Sequence, residues 1–240
     1  FFTGSDKSYT VGVAAADTYY IAVASGGSFS SDQYVLTTSH IANSATQIFE
    51  YESNNTTTSA NAVELGQTVV GQFSSTSDLD YYKFAVPSAG NFTFNYDLPS
   101  DAYSDVKLSL YNSAGLLLSQ FTTVSDKSYT VGVAAAGTYY ISLANVSTYY
   151  FNSGQYGLTT SHVSTTLTST YEAESNNTLA LANAVALGAP ITGQLSSSSD
   201  LDYYKVAVSS GGNLTFSIDT PTNSSSDYFK LSLYNSAGLL

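Results

Sequence analysis

Apolar and polar side chains alternate with a period of two in short runs along much of the chain. Tyr82, Phe84 and Val86 alternate with Tyr81, Lys83 and Ala85, and Phe92, Phe94, Tyr96 and Leu98 follow after the turn residues Pro87 to Gly90. Val106, Leu108 and Leu110 lead into a second turn, Asn112 to Gly115. Tyr129, Val131 and Val133, then Tyr139, Ile141 and Leu143, then Tyr156 and Leu158 continue the pattern. A strand turns successive side chains to opposite faces, so each run predicts a half-buried strand, and short runs at this spacing predict an antiparallel β-sandwich. The stretch Ala60 to Leu65, with its counterpart Leu179 to Leu187, leaves room for a helical turn and no more.

The pattern is written almost twice. SDKSYTVGVAAA occupies Ser5 to Ala16 and again Ser125 to Ala136, and KLSLYNSAGLL occupies Lys107 to Leu117 and again Lys230 to Leu240. DLDYYK begins at Asp78 and at Asp200, and TTSH ends at His40 and at His162. The offsets are 120, 123, 122 and 122 residues, a period of domain size and not of a solenoid unit. Residues 47–168 make one complete copy; 1–46 match its closing third and 169–240 its opening two thirds. Tandem sandwiches are therefore expected, with one complete domain flanked by two pieces that lack the strands needed to close a core. The simplest expectation is a piece of something longer.

Composition narrows the function. Of the 240 residues 21 are Tyr and 12 Phe, while Cys, Met and Trp are absent, so disulfides, zinc thiolates and thiol nucleophiles are excluded. A formal charge of −12, from six Lys against 18 Asp and Glu, argues against nucleic acid, whose phosphates need clustered cations, and against anionic membrane surfaces. No run approaches the ~20 apolar residues of a membrane helix. A cation is the partner this balance suits.

Eight of the 18 acidic residues lie in two recurring groups. One is Glu50-Tyr-Glu52-Ser-Asn54-Asn55, mirrored by Glu172-Ala-Glu174-Ser-Asn176-Asn177; the other is Asp78-Leu-Asp80, mirrored by Asp200-Leu-Asp202. In extended chain Glu50, Glu52 and Asn54 share a side, and Asp78 and Asp80 share the parity of the core residues Tyr82, Phe84 and Val86. Carboxylates entering a core line repel one another and lose hydration unless a counter-charge joins them. Calcium takes six to eight oxygens from carboxylates and amide carbonyls, which these segments offer. The bland alternative is a solvated acidic linker followed by an Asp-containing turn.

The E-x-E-x-N-N opening, the D-x-D-Y-Y strand start, the L-x-L-Y-N-S-A-G hairpin and the G-T-Y-Y-I strand together resemble the bacterial pre-peptidase C-terminal domain family, in tandem copies, and its relatives the collagen-binding domains of clostridial collagenases. The resemblance spans the complete copy and both partial ones. It implies a jelly-roll-like sandwich attached to secreted proteins, peptidases above all, with calcium held at the opening acidic segment and the later Asp pair. The ligands it implies are Glu50, Glu52, Asn54, Asn55, Asp78 and Asp80, and likewise Glu172, Glu174, Asn176, Asn177, Asp200 and Asp202.

His40 and His162 are repeat equivalents without a nucleophile elbow around any serine, so a linker or interface contact is expected of them rather than chemistry. Paired tyrosines such as Tyr81-Tyr82 and Tyr203-Tyr204 put one ring inside and one outside, and the outer rings are ordinary sheet surface or a grip on a polymer. No enzyme is expected. Two readings follow for an extracellular or cell-surface chain. The first is a structural element of a filament or surface layer, assembled head-to-tail as residues 169–240 are completed by residues 1–46 of a neighbouring copy. The alternative is an accessory module that holds a secreted hydrolase on collagen or carbohydrate.

Overall fold

A computed structural model of the chain describes residues 6, 8–25, 27, 33–42, 44, 46–99, 102, 104–152, 154–165, 171–220 and 229–238. Ten strands fall within the complete copy: β1 (Gln47–Phe49), β2 (Asn61–Ala62), β3 (Thr68–Gly71), β4 (Leu79–Val86), β5 (Gly90–Asp97), β6 (Val106–Tyr111), β7 (Leu117–Thr123), β8 (Lys127–Val133), β9 (Gly137–Asn145) and β10 (Tyr156–Ser164). They form two five-stranded sheets, β1-β3-β10-β5-β8 and β2-β4-β9-β6-β7. Apart from the β6–β7 hairpin, each connection crosses from one sheet to the other. Crossing twice returns the chain parallel to itself, so β1 pairs with β3 and β2 with β4 in parallel, while every other pair in the two sheets is antiparallel. The sandwich is thus mainly antiparallel, with parallel pairs confined to its opening strands.

The alternating runs supply the core. Tyr82, Phe84, Phe92, Phe94, Leu108, Leu110, Ile141, Leu143 and Leu158 are fully buried between the sheets. Phe92 lies between Phe84 and Phe94 at ring separations of 5.9 and 6.1 Å, and Phe94 stacks on Phe121 at 5.4 Å. Each such side chain contributes ~1.5–3 kcal/mol on burial, and the aromatic pairs add to it. The turns are as read: Gly115, at the end of the Asn112 turn, has φ +78°, a conformation that favours glycine.

Four strands escape the alternation. β7 breaks it at a register shift beside Leu110 and Tyr111, so that consecutive Leu118 and Ser119 are both buried. β1, β2 and β3 are too short to show a period. Ala60 to Leu65 holds β2 and no helical turn; its counterpart holds a single 3-10 turn, Leu179–Leu181.

The second copy repeats the opening of the first. β11 (Asn183–Ala184) pairs in parallel with β12 (Tyr204–Lys205), as β2 does with β4, and the bridge Tyr171↔Thr192 stands for β1 with β3. Among the described residues of 8–42 no strand forms. Tyr82 is 0% exposed, whereas its equivalent Tyr204 is 40% exposed, and Val206, Val208, Tyr19, Ile21 and Val23 are exposed as well.

Candidate metal centre

The opening acidic segment runs across one end of the sandwich from the first sheet to the second. The Glu50 N–H donates to the Val70 carbonyl at 2.9 Å, extending the β1–β3 pairing. The Asn61 side-chain amide then clamps Tyr51, accepting from its N–H at 2.8 Å and donating to its C=O at 3.1 Å. Three residues on, the Asn54 carbonyl accepts from the Tyr81 N–H of β4 at 2.9 Å. Held at three points, the segment turns Glu50 and Asn54 inward, both buried, and keeps Glu52 at the rim. Asp80 enters from β4 on the core parity and is fully buried.

Carboxylate oxygens of Glu50, Glu52 and Asp80 all lie within 4.8 Å of one another. Glu50 Oε1 accepts from the Gln72 N–H, and Glu50 Oε2 from the Tyr82 hydroxyl at 2.5 Å. The Tyr156 hydroxyl is 2.5 Å from Asp80 Oδ2 and 2.7 Å from the Tyr82 hydroxyl. Asn54 Nδ2 approaches Glu50 Oε2 at 3.4 Å. Burial first, and then the neighbouring carboxylates, push Glu50 and Asp80 well above the usual carboxylate range. Glu52 is raised by burial and then by Asp78.

Two oxygens in this wall face no hydrogen-bond donor: Asn54 Oδ1 and Asp80 Oδ1 are buried without a partner. Leaving such a group unmade costs ~1–3 kcal/mol, and a cation among the three carboxylates would satisfy both while removing their repulsion. The donors are all oxygens, a set suited to a hard cation. The residues therefore fit a metal ion.

The second copy builds the same cluster from Glu172, Glu174 and Asp202, again within 4.8 Å. Glu172 Oε1 accepts from the Gln194 N–H, Glu172 Oε2 accepts from the Tyr204 hydroxyl at 2.6 Å, and Asn183 clamps Ala173 as Asn61 clamps Tyr51. Glu174 is pushed up to about 7, by burial and then by Asp200 and Glu172, and Asp202 is raised by burial and then by Glu172. Asn176 Oδ1, Glu174 Oε1 and Asp202 Oδ1 are the partnerless buried oxygens here.

Four of the twelve expected ligands sit apart in the adjoining turn. Asp78 accepts from the N–H groups of Ser74 at 2.6 Å and of Leu79 at 3.1 Å, and Asp200 does the same with Ser196 and Leu201. With its amide turned to match its neighbours, Asn55 donates to the Leu79 carbonyl and to Asp78; Asn177 accepts from the Leu201 N–H. His162 lies within β10, opposite Phe92, and not in a linker.

The sequence reading missed Tyr82 and Tyr156 as polar members of the site, because their rings serve the core. It also missed Gly71, where a Cβ would fall on the Tyr156 and Tyr82 hydroxyls, and its equivalent Gly193, where it would meet Tyr204 and Glu172. A signal for them exists: Gly-Gln recurs at 71–72 and 193–194, in each copy 22 residues from the opening Glu to the Gln.

No family model matches the chain, and no curated protein matches it. Among solved structures, the pre-peptidase C-terminal domain of a collagenase from Bacillus anthracis is 21% identical, covering 42% of this chain and 93% of its own, with a TM-score of 0.35. A periplasmic inhibitor of g-type lysozyme from Aeromonas hydrophila is 12% identical over 43% of this chain and 97% of its own, with a TM-score of 0.33. A carbohydrate-binding module of a Cellvibrio mixtus lichenase, in complex with cellotriose, is 16% identical over 40% and 76%, with a TM-score of 0.27. Among the described residues no helix is long and apolar enough to cross a membrane.

Proposed function

We propose that the chain is a non-catalytic, extracellular scaffold protein whose β-sandwich repeats each hold one calcium site at their opening strand. The observation that carries this reading is the pair of partnerless buried oxygens beside three converging carboxylates, built in both copies. Glu50, Glu52, Asn54 and Asp80, with Glu172, Glu174, Asn176 and Asp202, are the ligands. Asn55, Asp78, Asn177 and Asp200 shape the adjoining turn and add negative charge. Bound calcium supplies the positive charge the cluster lacks. Tyr82 and Gln72 orient Glu50, Tyr156 orients Asp80, and Asn61 fixes the segment from which Glu50 and Glu52 project.

The scaffold is a segment of a filament or surface layer. Its support is the tandem period of about 122 residues, written in nearly identical segments. A head-to-tail contact repeated along such an array grows a filament unless it closes. Calorimetric titration with calcium, together with electron microscopy before and after chelation, tests the reading. No calcium binding at millimolar concentration sinks the metal site, and monomeric particles at every concentration sink the filament.

A second reading, an accessory module gripping an extracellular polymer, has its own observation. Tyr81 and Tyr111 stack outside the second sheet at 6.4 Å, and their equivalents Tyr203 and Tyr234 meet at 5.9 Å. Cosedimentation with insoluble collagen or cellulose, lost in Tyr81→Ala with Tyr111→Ala, would favour it.

A further inference from the structure

Gly12 and Gly132 are the same position in successive repeats, and both make the same contact with the repeat that follows. The Gly12 N–H donates to the Glu50 carbonyl at 2.8 Å, and the Gly132 N–H donates to the Glu172 carbonyl at 2.9 Å. At the second junction a parallel bridge, Gly132↔Ala173, accompanies the bond. Glu50 and Glu172 meanwhile donate their own N–H groups to Val70 and Thr192. At the second junction one peptide segment therefore lies between the third-strand position of its own repeat and the eighth strand of the repeat before it, and at the first junction Gly12 makes the same bond without forming a strand.

We infer that the opening acidic segment of each repeat is also a docking strand for the preceding repeat, so that successive sandwiches share a sheet edge instead of hanging on free linkers. The inference rests on the tandem-array reading but not on the cation. β8 and β7 are edge strands of the two sheets on the same side of the sandwich, and β1 is the opposite edge of the first sheet. Exposed edges invite uncontrolled pairing, and seating the next repeat's first strand on β8 covers two of them at once. The β7 edge joins the same seam: the Ser119 hydroxyl is 2.5 Å from Gln194 Oε1, and Gln194 Nε2 donates to the Gln120 carbonyl at 2.8 Å. Gln194 follows the third strand position of the second copy, so both edges of one sandwich meet the opening of the next. At the first junction Gln155 adds a bond to the Thr10 carbonyl.

The glycine is what admits the docking strand. A Cβ on Gly12 would fall on the carbonyl oxygens of Glu50 and Phe49, and one on Gly132 on those of Glu172 and Tyr171. Neither residue has a positive φ, so space at the seam, and not backbone conformation, demands glycine. The nearest atoms in each case belong to the following repeat, so a larger side chain blocks docking while leaving its own sandwich room to fold.

Two measurements on the full chain test this. An edge amide pointing away from its own sheet exchanges freely unless another strand covers it. Amide exchange of Gly12 and Gly132 followed by nuclear magnetic resonance is therefore expected to be at least ~10-fold slower than in unstructured chain, as for a hydrogen-bonded amide that opens locally. The second measurement uses the absence of cysteine. Spin labels at Asn95→Cys and Ala186→Cys are expected to give one narrow distance distribution, which Gly132→Val broadens while the Val131 amide, facing β5, stays protected. Unprotected glycine amides, or an equally narrow distribution in Gly132→Val, would overturn the seam. A protected seam in a chain that binds no calcium or forms no filament would sustain it and count against the proposed function alone.

Discussion

Tyr156 and Asp80, 76 positions apart, meet at one end of the sandwich with the phenolic oxygen 2.5 Å from Asp80 Oδ2. The same hydroxyl is 2.7 Å from that of Tyr82, which is 2.5 Å from Glu50 Oε2. Three short links join four groups, and the two phenols bring two protons. The third has to sit on a carboxyl. Burial of both carboxyls keeps it there, helped by the charge of Glu52 beside Glu50 and of Glu50 beside Asp80.

Calcium entering this cluster displaces that proton, because ligation needs the ionised carboxylate. Calorimetry at pH 7 in buffers of differing ionisation enthalpy is expected to show about one proton released per site. Apparent affinity should rise as pH rises. Binding with no proton release would mean that both carboxylates are already ionised and that the shared-proton account is wrong.

Without metal, the same groups set a pH dependence of stability. Folding raises the pKa of Glu50, Asp80 and Glu174, the last to about 7. Above the ordinary carboxylate range of about 4, the native state holds protons that the unfolded chain has released, so stability falls as pH rises through the folded values. Chelated protein is therefore expected to melt at a higher temperature at pH 5 than at pH 8. Saturating calcium should reverse the order, since it stabilises the native state by ~2.7 kcal/mol at 100 times its dissociation constant and binds more tightly at pH 8. Thermal melts at both pH values, with and without chelator, check both signs.

The strands that build the core were legible because they alternate: Tyr82, Phe84 and Val86 read the same in sequence and in space. β7 was not, since a register shift buries Leu118 and Ser119 together, and β1 and β3 are too short to carry a period. At the site, parity alone brought Asp80 to the core face beside Glu50. It also placed Asp78 there, and Asp78 is buried as parity requires, yet two backbone N–H groups hold it in the turn. Parity reports which face a side chain takes, not what it bonds. Tyr156 and Gly71 come from distant strands, and their meeting is a consequence of sheet order that no local pattern encodes.

Gly71 and Gly66 separate two reasons for a glycine. Gly66 has φ +84° and open space around it, so Gly66→Ala is expected to cost ~1 kcal/mol through backbone strain alone, with the calcium response intact. Gly71→Ala pushes a methyl onto the Tyr82 and Tyr156 hydroxyls, an overpacking that costs ~1–3 kcal/mol and displaces the groups that orient Glu50 and Asp80. Denaturant unfolding with and without calcium should show a much smaller stabilisation by calcium in Gly71→Ala than in Gly66→Ala. Equal responses would remove the tyrosines from the site.

Asp80→Asn and Asp78→Asn, two residues apart, distinguish the cluster from the turn. Asp80 is fully buried beside Glu50, with one oxygen that finds no donor. An amide of the same shape removes the repulsion while keeping an oxygen within reach of Tyr156. Metal-free Asp80→Asn is therefore expected to be at least as stable as the parent at pH 8, and to lose its stabilisation by calcium. Asp78 uses both oxygens to accept from Ser74 and Leu79, and asparagine has only one acceptor oxygen to offer. Asp78→Asn should cost ~1–3 kcal/mol with or without metal, the range for a buried donor left unmade, and should keep a calcium response weakened only by the missing charge. Chemical denaturation of both variants at pH 8 with calcium and with chelator reads all four outcomes. If Asp78→Asn abolishes the response and Asp80→Asn retains it, the metal lies in the turn and not among Glu50, Glu52 and Asp80.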